Sequence, residues 1–168
     1  MSEHTVRFEL NGQPQEVQVP AHRLAIDLLR DELGYTGTKE GCSIGVCGAC
    51  SILVDGAVMS ACLLPVVFLE GKKVTTIEGL APDEEHLTPL QDSFIRYGGF
   101  QCGICTPGQI ISATALLNEN PRPSRDDIRH WMMGNLCRCT GYYKIVESIE
   151  AAAAIMRGEE APAPGGVH

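Results

Sequence analysis

Eight cysteines in a chain of 168 residues fall into two groups of four, and this constrains the fold more than any other feature. The first group is Cys42, Cys47, Cys50 and Cys62; the second is Cys102, Cys105, Cys137 and Cys139. The opening segment MSEHTVRFELNGQPQEV has no apolar h-region, twin arginine or cleavage pattern that would mark it for export. The expected location is therefore the cytoplasm, where thiols stay reduced and dense cysteine more often holds metal than forms disulfides. Composition points the same way. Aromatic residues make up only 5% of the chain, so small domains built from it have little large apolar surface to bury and need a further source of stability. A formal charge of −8 argues against a surface that neutralises nucleic-acid phosphates or sits on anionic lipid. No apolar run approaches the roughly 18 residues that a membrane span requires.

Spacing within the first group reads CxxxxCxxC, with the fourth cysteine in the hairpin that follows, which is the plant-type spacing for a [2Fe–2S] cluster. Three thiolates on one tight loop can surround a cluster only if the backbone curls around it. Gly41, Gly45 and Gly48 interleave these cysteines and permit that path. A loop of this kind also turns backbone N–H groups inward, where they can hydrogen-bond sulfur. The second group is CxxC at Cys102 and Cys105, then CxC at Cys137 and Cys139, with a helix expected after each pair. Helix N-termini there favour anionic thiolates. A CxC pair fits one tetrahedral zinc poorly, whereas its two sulfurs can bind different irons of a binuclear core. Disulfides and structural zinc remain competing uses of these residues on spacing alone. The five histidines, His4, His22, His86, His130 and His168, lie outside the cysteine motifs, which speaks against a Rieske centre with its two histidine ligands.

The expected fold class is α+β. Alternation over Thr5 to Leu10, the Asn11-Gly12 turn and Glu16 to Val19 predict a hairpin. Leu24 to Leu33 suits a helix ended by Gly34, although Ile26 sits off the strictest spacing. Ser51 to Val54, the Asp55-Gly56 turn and Val58 to Cys62 predict a second hairpin, and Lys73 to Ile77 a last short strand. Four or five strands about one helix is a β-grasp pattern, expected over residues 1–79. A polar hinge at Ala81-Pro82-Asp83-Glu84-Glu85 follows. Helices are then expected at Pro89 to Tyr97, Pro107 to Asn118, Arg125 to Met133 and Tyr143 to Met156, making a small four-helix bundle over residues 80–158. Thr106 is the expected N-cap of the second helix with Pro107 at its first position, and Ser124 caps the third with Asp127 three residues on. Trp131, Met132 and Met133 fit a packing face, as do Tyr142 and Tyr143. Residues 159–168 are expected to be a disordered tail.

GCSIGVCGAC with Cys62 behind it, and QCGICTPG followed by GNLCRCTGY, closely resemble the small iron–sulfur subunits of the molybdenum hydroxylase (xanthine oxidase) family. The match runs from about Val6 to Met156, and its second half is the more diagnostic. The resemblance implies an electron relay of two [2Fe–2S] clusters, with a large subunit holding molybdenum in molybdopterin, of the cytosine dinucleotide form, and a medium subunit holding FAD. These partners assemble in the family as a dimer of heterotrimers. It further implies that Cys102, Cys105, Cys137 and Cys139 ligate the cluster nearer molybdenum, that Cys42, Cys47, Cys50 and Cys62 ligate the distal one, and that Gln101 and Cys139 contact the pterin. Arg138, between two thiolates, either offsets cluster charge or is solvated.

No GxGxxG follows a strand, no P-loop is present, and the scattered carboxylates offer no acid–base pair. Catalytic residues that convert a substrate are therefore expected to be absent from this chain. The alternative to a dedicated subunit is a free-standing, diffusible ferredoxin-like carrier.

Overall fold

A computed structural model describes residues 3–83 and 85–165. Glu84 of the expected hinge and the last three residues of the expected tail lie outside the described residues. The strands are β1 (Glu3–Leu10), β2 (Gln13–Pro20), β3 (Ser51–Val54), β4 (Ala57–Ser60) and β5 (Lys73–Thr75). They form one mixed sheet in the order β2-β1-β5-β3-β4, with β1 and β5 parallel and the remaining pairs antiparallel. Both hairpins turn on the expected dipeptides. Asn11-Gly12 has φ of 51° and 78°, and Asp55-Gly56 has 49° and 84°, the left-handed pair that matches strand twist. Alternation places Val6, Phe8 and Leu10 of β1 inward.

Helix α1 (Ala25–Asp27) runs directly into a wider π-type turn over Leu28–Glu32, where Leu33 N–H reaches Leu28 C=O at 3.0 Å. Ile26 itself lies in the regular part, ahead of the wider turn. Ile26, Leu28 and Leu29 are all buried along this segment. Gly34, at φ 76°, ends the segment as expected.

Beyond the sheet come α2 (Pro89–Arg96), α3 (Thr106–Glu119), α4 (Arg125–Trp131), continued by a 3₁₀ turn at Met132–Gly134, and α5 (Tyr143–Met156). Capping boxes start α2 and α4. Thr88 exchanges hydrogen bonds with Gln91, and Ser124 does so with Asp127. The start of α3 is one residue earlier than expected: Cys105, not Thr106, is its N-cap, because Thr106 N–H already closes back onto Gly103 C=O. Leu90, Phe94, Ile110, Leu116, Ile128, Ile145 and Ile149 fill the helical core. The alanine run Ala151–Ala154 is buried and lets α5 lie close to α2.

The two cores meet along α3. Leu53 of β3 packs with Ile111 and Ala115 of α3, with Val58 and Trp131 beside them. Trp131 Nε1 donates to Ser112 C=O at 2.9 Å. Residues 159–165 have no regular structure and lie back against the helices. Tyr97 Oη donates to Pro162 C=O at 2.6 Å, and Glu159 pairs with both Arg122 and Arg157.

Candidate metal centres

Three cysteines of the first group, Cys42, Cys47 and Cys50, lie on the loop between α1 and β3. Cys62 lies on the short turn Ala61–Leu63 after β4. The β3–β4 hairpin explains how the fourth cysteine arrives. Its register sets Ser51 opposite Ser60, and Ala61 N–H donates to Cys50 C=O at 3.2 Å, so the chain returns Cys62 beside Cys50. Gly41 has no room for a side chain, since a Cβ there would stand 2.9 Å from Cys47 Sγ. Val46 and Cys47 both donate N–H to Cys42 Sγ at 3.4 Å. Together with the N–H of Ile44, which acts most strongly, they hold the Cys42 thiol down at about 6. Cys50 and Cys62 belong to the apolar core, and burial pushes Cys50 up to about 11.

The second group is assembled from two distant segments. Cys102 and Cys105 precede α3, and Cys137 and Cys139 lie between α4 and α5. Gln101 Nε2 donates to Cys139 C=O at 3.1 Å and ties the segments together. Cys102 and Cys139 are exposed with their Sγ atoms 3.5 Å apart, while Cys105 is buried and Cys137 half-buried. Burial pushes Cys105 up to about 12. Burial works against Cys137 as well, yet hydrogen bonds from Thr140 bring its thiol net down. The Ile104 N–H, followed by the Cys139 thiol, lowers Cys102, and the bond to Cys102 raises Cys139.

Sulfurs therefore approach in pairs: Cys42 with Cys47, Cys50 with Cys62, Cys102 with Cys139, and Cys105 with Cys137. Among the described residues, no three His, Cys, Asp or Glu side chains converge as they would about a single ion. Two pairs per site suit a binuclear core that offers each iron two thiolates, whereas structural zinc needs four sulfurs about one point. Each site thus fits a [2Fe–2S] cluster, which supplies one-electron chemistry when bound.

The two sites are joined by hydrogen bonds between their backbones and through two buried amides. Leu136 N–H, one residue before Cys137, donates to Cys47 C=O at 2.9 Å. Asn135 Nδ2 donates to Gly48 C=O at 3.2 Å, and Gln109 Nε2 of α3 to Asn135 C=O at 3.1 Å. Both amide side chains are buried. Gly48 is required twice over: its φ is 68°, and a Cβ would come within 2.5 Å of Asn135 Nδ2 and of Gly134 O. A Cβ on Gly108 of α3 would overlap Gly48 O.

The structure brings together all eight cysteines as two foursomes and sets Gln101 against Cys139. Arg138 is exposed. Tyr142 does more than pack, since its Oη accepts the N–H of Cys137 at 3.0 Å. Sequence reasoning missed Gln109, Asn135 and Thr140. Their one signal was position beside a cysteine motif, which does not reveal a contact with a distant part of the chain, such as that of Asn135 with Gly48 at a separation of 87.

The fold and its paired thiols define a two-site iron–sulfur protein, and comparison with known proteins agrees. Residues 8–80 match the 2Fe-2S iron-sulfur cluster binding domain, and residues 76–150 match a second [2Fe-2S] binding domain. A probable xanthine dehydrogenase subunit of Bacillus subtilis (strain 168) is 52% identical over 143 residues, which cover 84% of this chain and 81% of that one. The aldehyde oxidoreductase of Megalodesulfovibrio gigas is 46% identical over 154 residues, 90% of this chain but only 17% of that longer protein. In the crystal structure of quinoline 2-oxidoreductase from Pseudomonas putida 86, one chain superposes with a TM-score of 0.88 at 46% identity, covering 95% of this chain and 99% of that one. This chain belongs to the small iron–sulfur subunits of the molybdenum hydroxylase (xanthine dehydrogenase) family. As in the family, its part in oxidoreduction is electron transfer.

Proposed function

We propose that this chain relays electrons within a three-subunit molybdenum hydroxylase. Cys102, Cys105, Cys137 and Cys139 ligate one [2Fe–2S] cluster in a four-helix domain over residues 80–158, and Cys42, Cys47, Cys50 and Cys62 ligate the other in a β-grasp domain over residues 1–79. A large subunit holds molybdenum in molybdopterin cytosine dinucleotide, and a medium subunit holds FAD. The complex is a cytoplasmic dimer of heterotrimers, and no substrate is converted on this chain itself.

The observation that carries this reading is the graded exposure of the sulfurs along one line of contacts. Cys102 and Cys139 are exposed beside Gln101, Cys105 and Cys137 lie further in, and Leu136 N–H···O=C Cys47 leads on to the first site. An electron acquired at the exposed pair next to a pterin thus has a bonded route across the domain boundary. An apolar rim supports permanent partners over a diffusible carrier. Ile44, Val46 and Leu63, beside the first site, are 67%, 56% and 58% exposed, and such surface is normally covered in an assembly.

Co-expression with large and medium subunits tests the assignment. The expected result is a stable brown complex with about four irons and four acid-labile sulfides on this chain and two distinct paramagnetic signals on reduction. Zinc in place of iron, or a monodisperse monomer fully active with a separate reductase, would overturn it.

A further inference from the structure

We infer that Thr140 is a positioning residue that sets the reduction potential of the helical-domain cluster by donating its hydroxyl proton to the sulfur of Cys137. The inference rests on the reading of Cys137 as a cluster ligand. Thr140 Oγ1 lies 3.1 Å from Cys137 Sγ, and the neighbouring groups decide which of the two donates. Tyr142 N–H already donates to the same Oγ1 at 3.2 Å, so the hydroxyl serves there as acceptor and its own proton is free. A coordinated thiolate has no proton to give. The hydroxyl proton therefore points at sulfur. Thr140 N–H reaches the same sulfur at 3.5 Å, and Tyr142 Oη accepts the N–H of Cys137 at 3.0 Å. These bonds close a small ring through Cys137, Thr140 and Tyr142, with Tyr142 held at φ 69°.

The first site has no counterpart. Among the described residues, Cys42 Sγ accepts backbone N–H groups and meets the Cys47 thiol, and no hydroxyl reaches a sulfur of Cys42, Cys47, Cys50 or Cys62. A hydrogen bond to a ligand sulfur stabilises the reduced cluster, which carries one more negative charge, and so raises its potential. Thr140 thereby favours the electron on the helical-domain side, and it does so through a side chain that substitution can delete.

The test is a redox titration of the purified, cluster-loaded full chain, with both paramagnetic signals followed separately. Thr140→Val should make the helical-domain potential more negative and shift the electron distribution about tenfold toward the other cluster, or about 59 mV for one electron. Thr140→Ser should restore the wild-type value, and the ferredoxin-domain potential should not move in either variant. Three results would each overturn the inference. The first is an unchanged potential in Thr140→Val. The second is a shift that Thr140→Ser does not reverse. The third is loss of the helical-domain cluster in both Thr140→Val and Thr140→Ala while Thr140→Ser retains it, which would make the hydroxyl an assembly group and not a tuning group. Cys137→Ala isolates the underlying reading, because it leaves no donor atom at this position, and survival of both signals in that variant would reject Cys137 as a ligand and leave the cause elsewhere.

Discussion

The two metal centres of this chain reach the same count of thiols by opposite routes. In the first, three cysteines come from one nine-residue loop, Cys42 to Cys50, and the fourth is returned by a hairpin of fixed register. Its sulfur environment is made by backbone N–H groups and by the apolar core that encloses Cys50 and Cys62. In the second, the thiols come from segments more than 30 residues apart, and side chains hold them in place: Gln101 across to Cys139, Thr140 on Cys137, and Tyr142 on the Cys137 backbone. The loop site is therefore built by local conformation, and the composite site depends on how the helices pack. It follows that substitutions of side chains should perturb the second site more than the first.

The sharpest way to break the comparison is Cys137→Ala. It should abolish the helical-domain paramagnetic signal while the ferredoxin-domain signal survives in the folded protein. Loss of both signals in a chain with unchanged far-ultraviolet circular dichroism would mean that the sites are not independent. Next in size is Gly108→Val, which forces side-chain atoms into Gly48 C=O. Overpacking of this kind costs about 1–3 kcal/mol, and here it falls on the contact between the two sites. Chemical denaturation should show the loss, and the magnetic interaction between the two reduced clusters should weaken with it.

A smaller effect is expected for Asn135→Leu. It removes one of three donors to Gly48 C=O, which the Ser51 N–H and hydroxyl still serve, so the loss is that of a single hydrogen bond, about 0.5–1.5 kcal/mol. Because the backbone bond from Leu136 to Cys47 remains, both clusters should still assemble, and hydrogen exchange should report faster opening at residues 47–50 and 134–137. An unchanged exchange pattern there would show that the joint is held by backbone alone.

The smallest effects belong to the helix caps remote from both sites. Thr88→Ala should cost about 1 kcal/mol and leave both signals unaltered. At α4, the Ser124 hydroxyl followed by its N–H holds the Asp127 carboxyl below the ordinary value. A depressed folded value means that the contribution is present above the unfolded value of about 4 and is lost as pH falls through the folded one. Acid titration of Ser124→Ala against wild type should therefore show their stability difference shrinking at low pH.

Much of the fold was legible in the chain. Asn11-Gly12 and Asp55-Gly56 announced their hairpins because few residues besides glycine and asparagine or aspartate tolerate the left-handed pair, and Ser124 with Asp127 announced α4. The start and end of α5 were read to the residue. What was not legible has physical reasons. The π-type turn after α1 is closed by the bond from Leu33 N–H to Leu28 C=O, which no spacing of apolar residues announces. Cys105 takes the N-cap of α3 because Thr106 N–H is bonded back to Gly103 C=O.

Spacing by itself divided the eight cysteines into two groups of four, since CxxxxCxxC confines three thiols to one loop with Cys62 soon after, and CxxC and CxC each supply only two. Only the tertiary structure decided which sulfurs pair, that Cys102 and Cys139 face outward, and that Cys137 is tied both to Thr140 and, through Leu136, to Cys47. Those facts depend on where α3 and the segment before α5 meet the ferredoxin loop. That meeting is governed by the absence of a side chain at Gly48 and Gly108 and by two buried amides, whose effects are steric and long-range in sequence and leave no periodic trace in it.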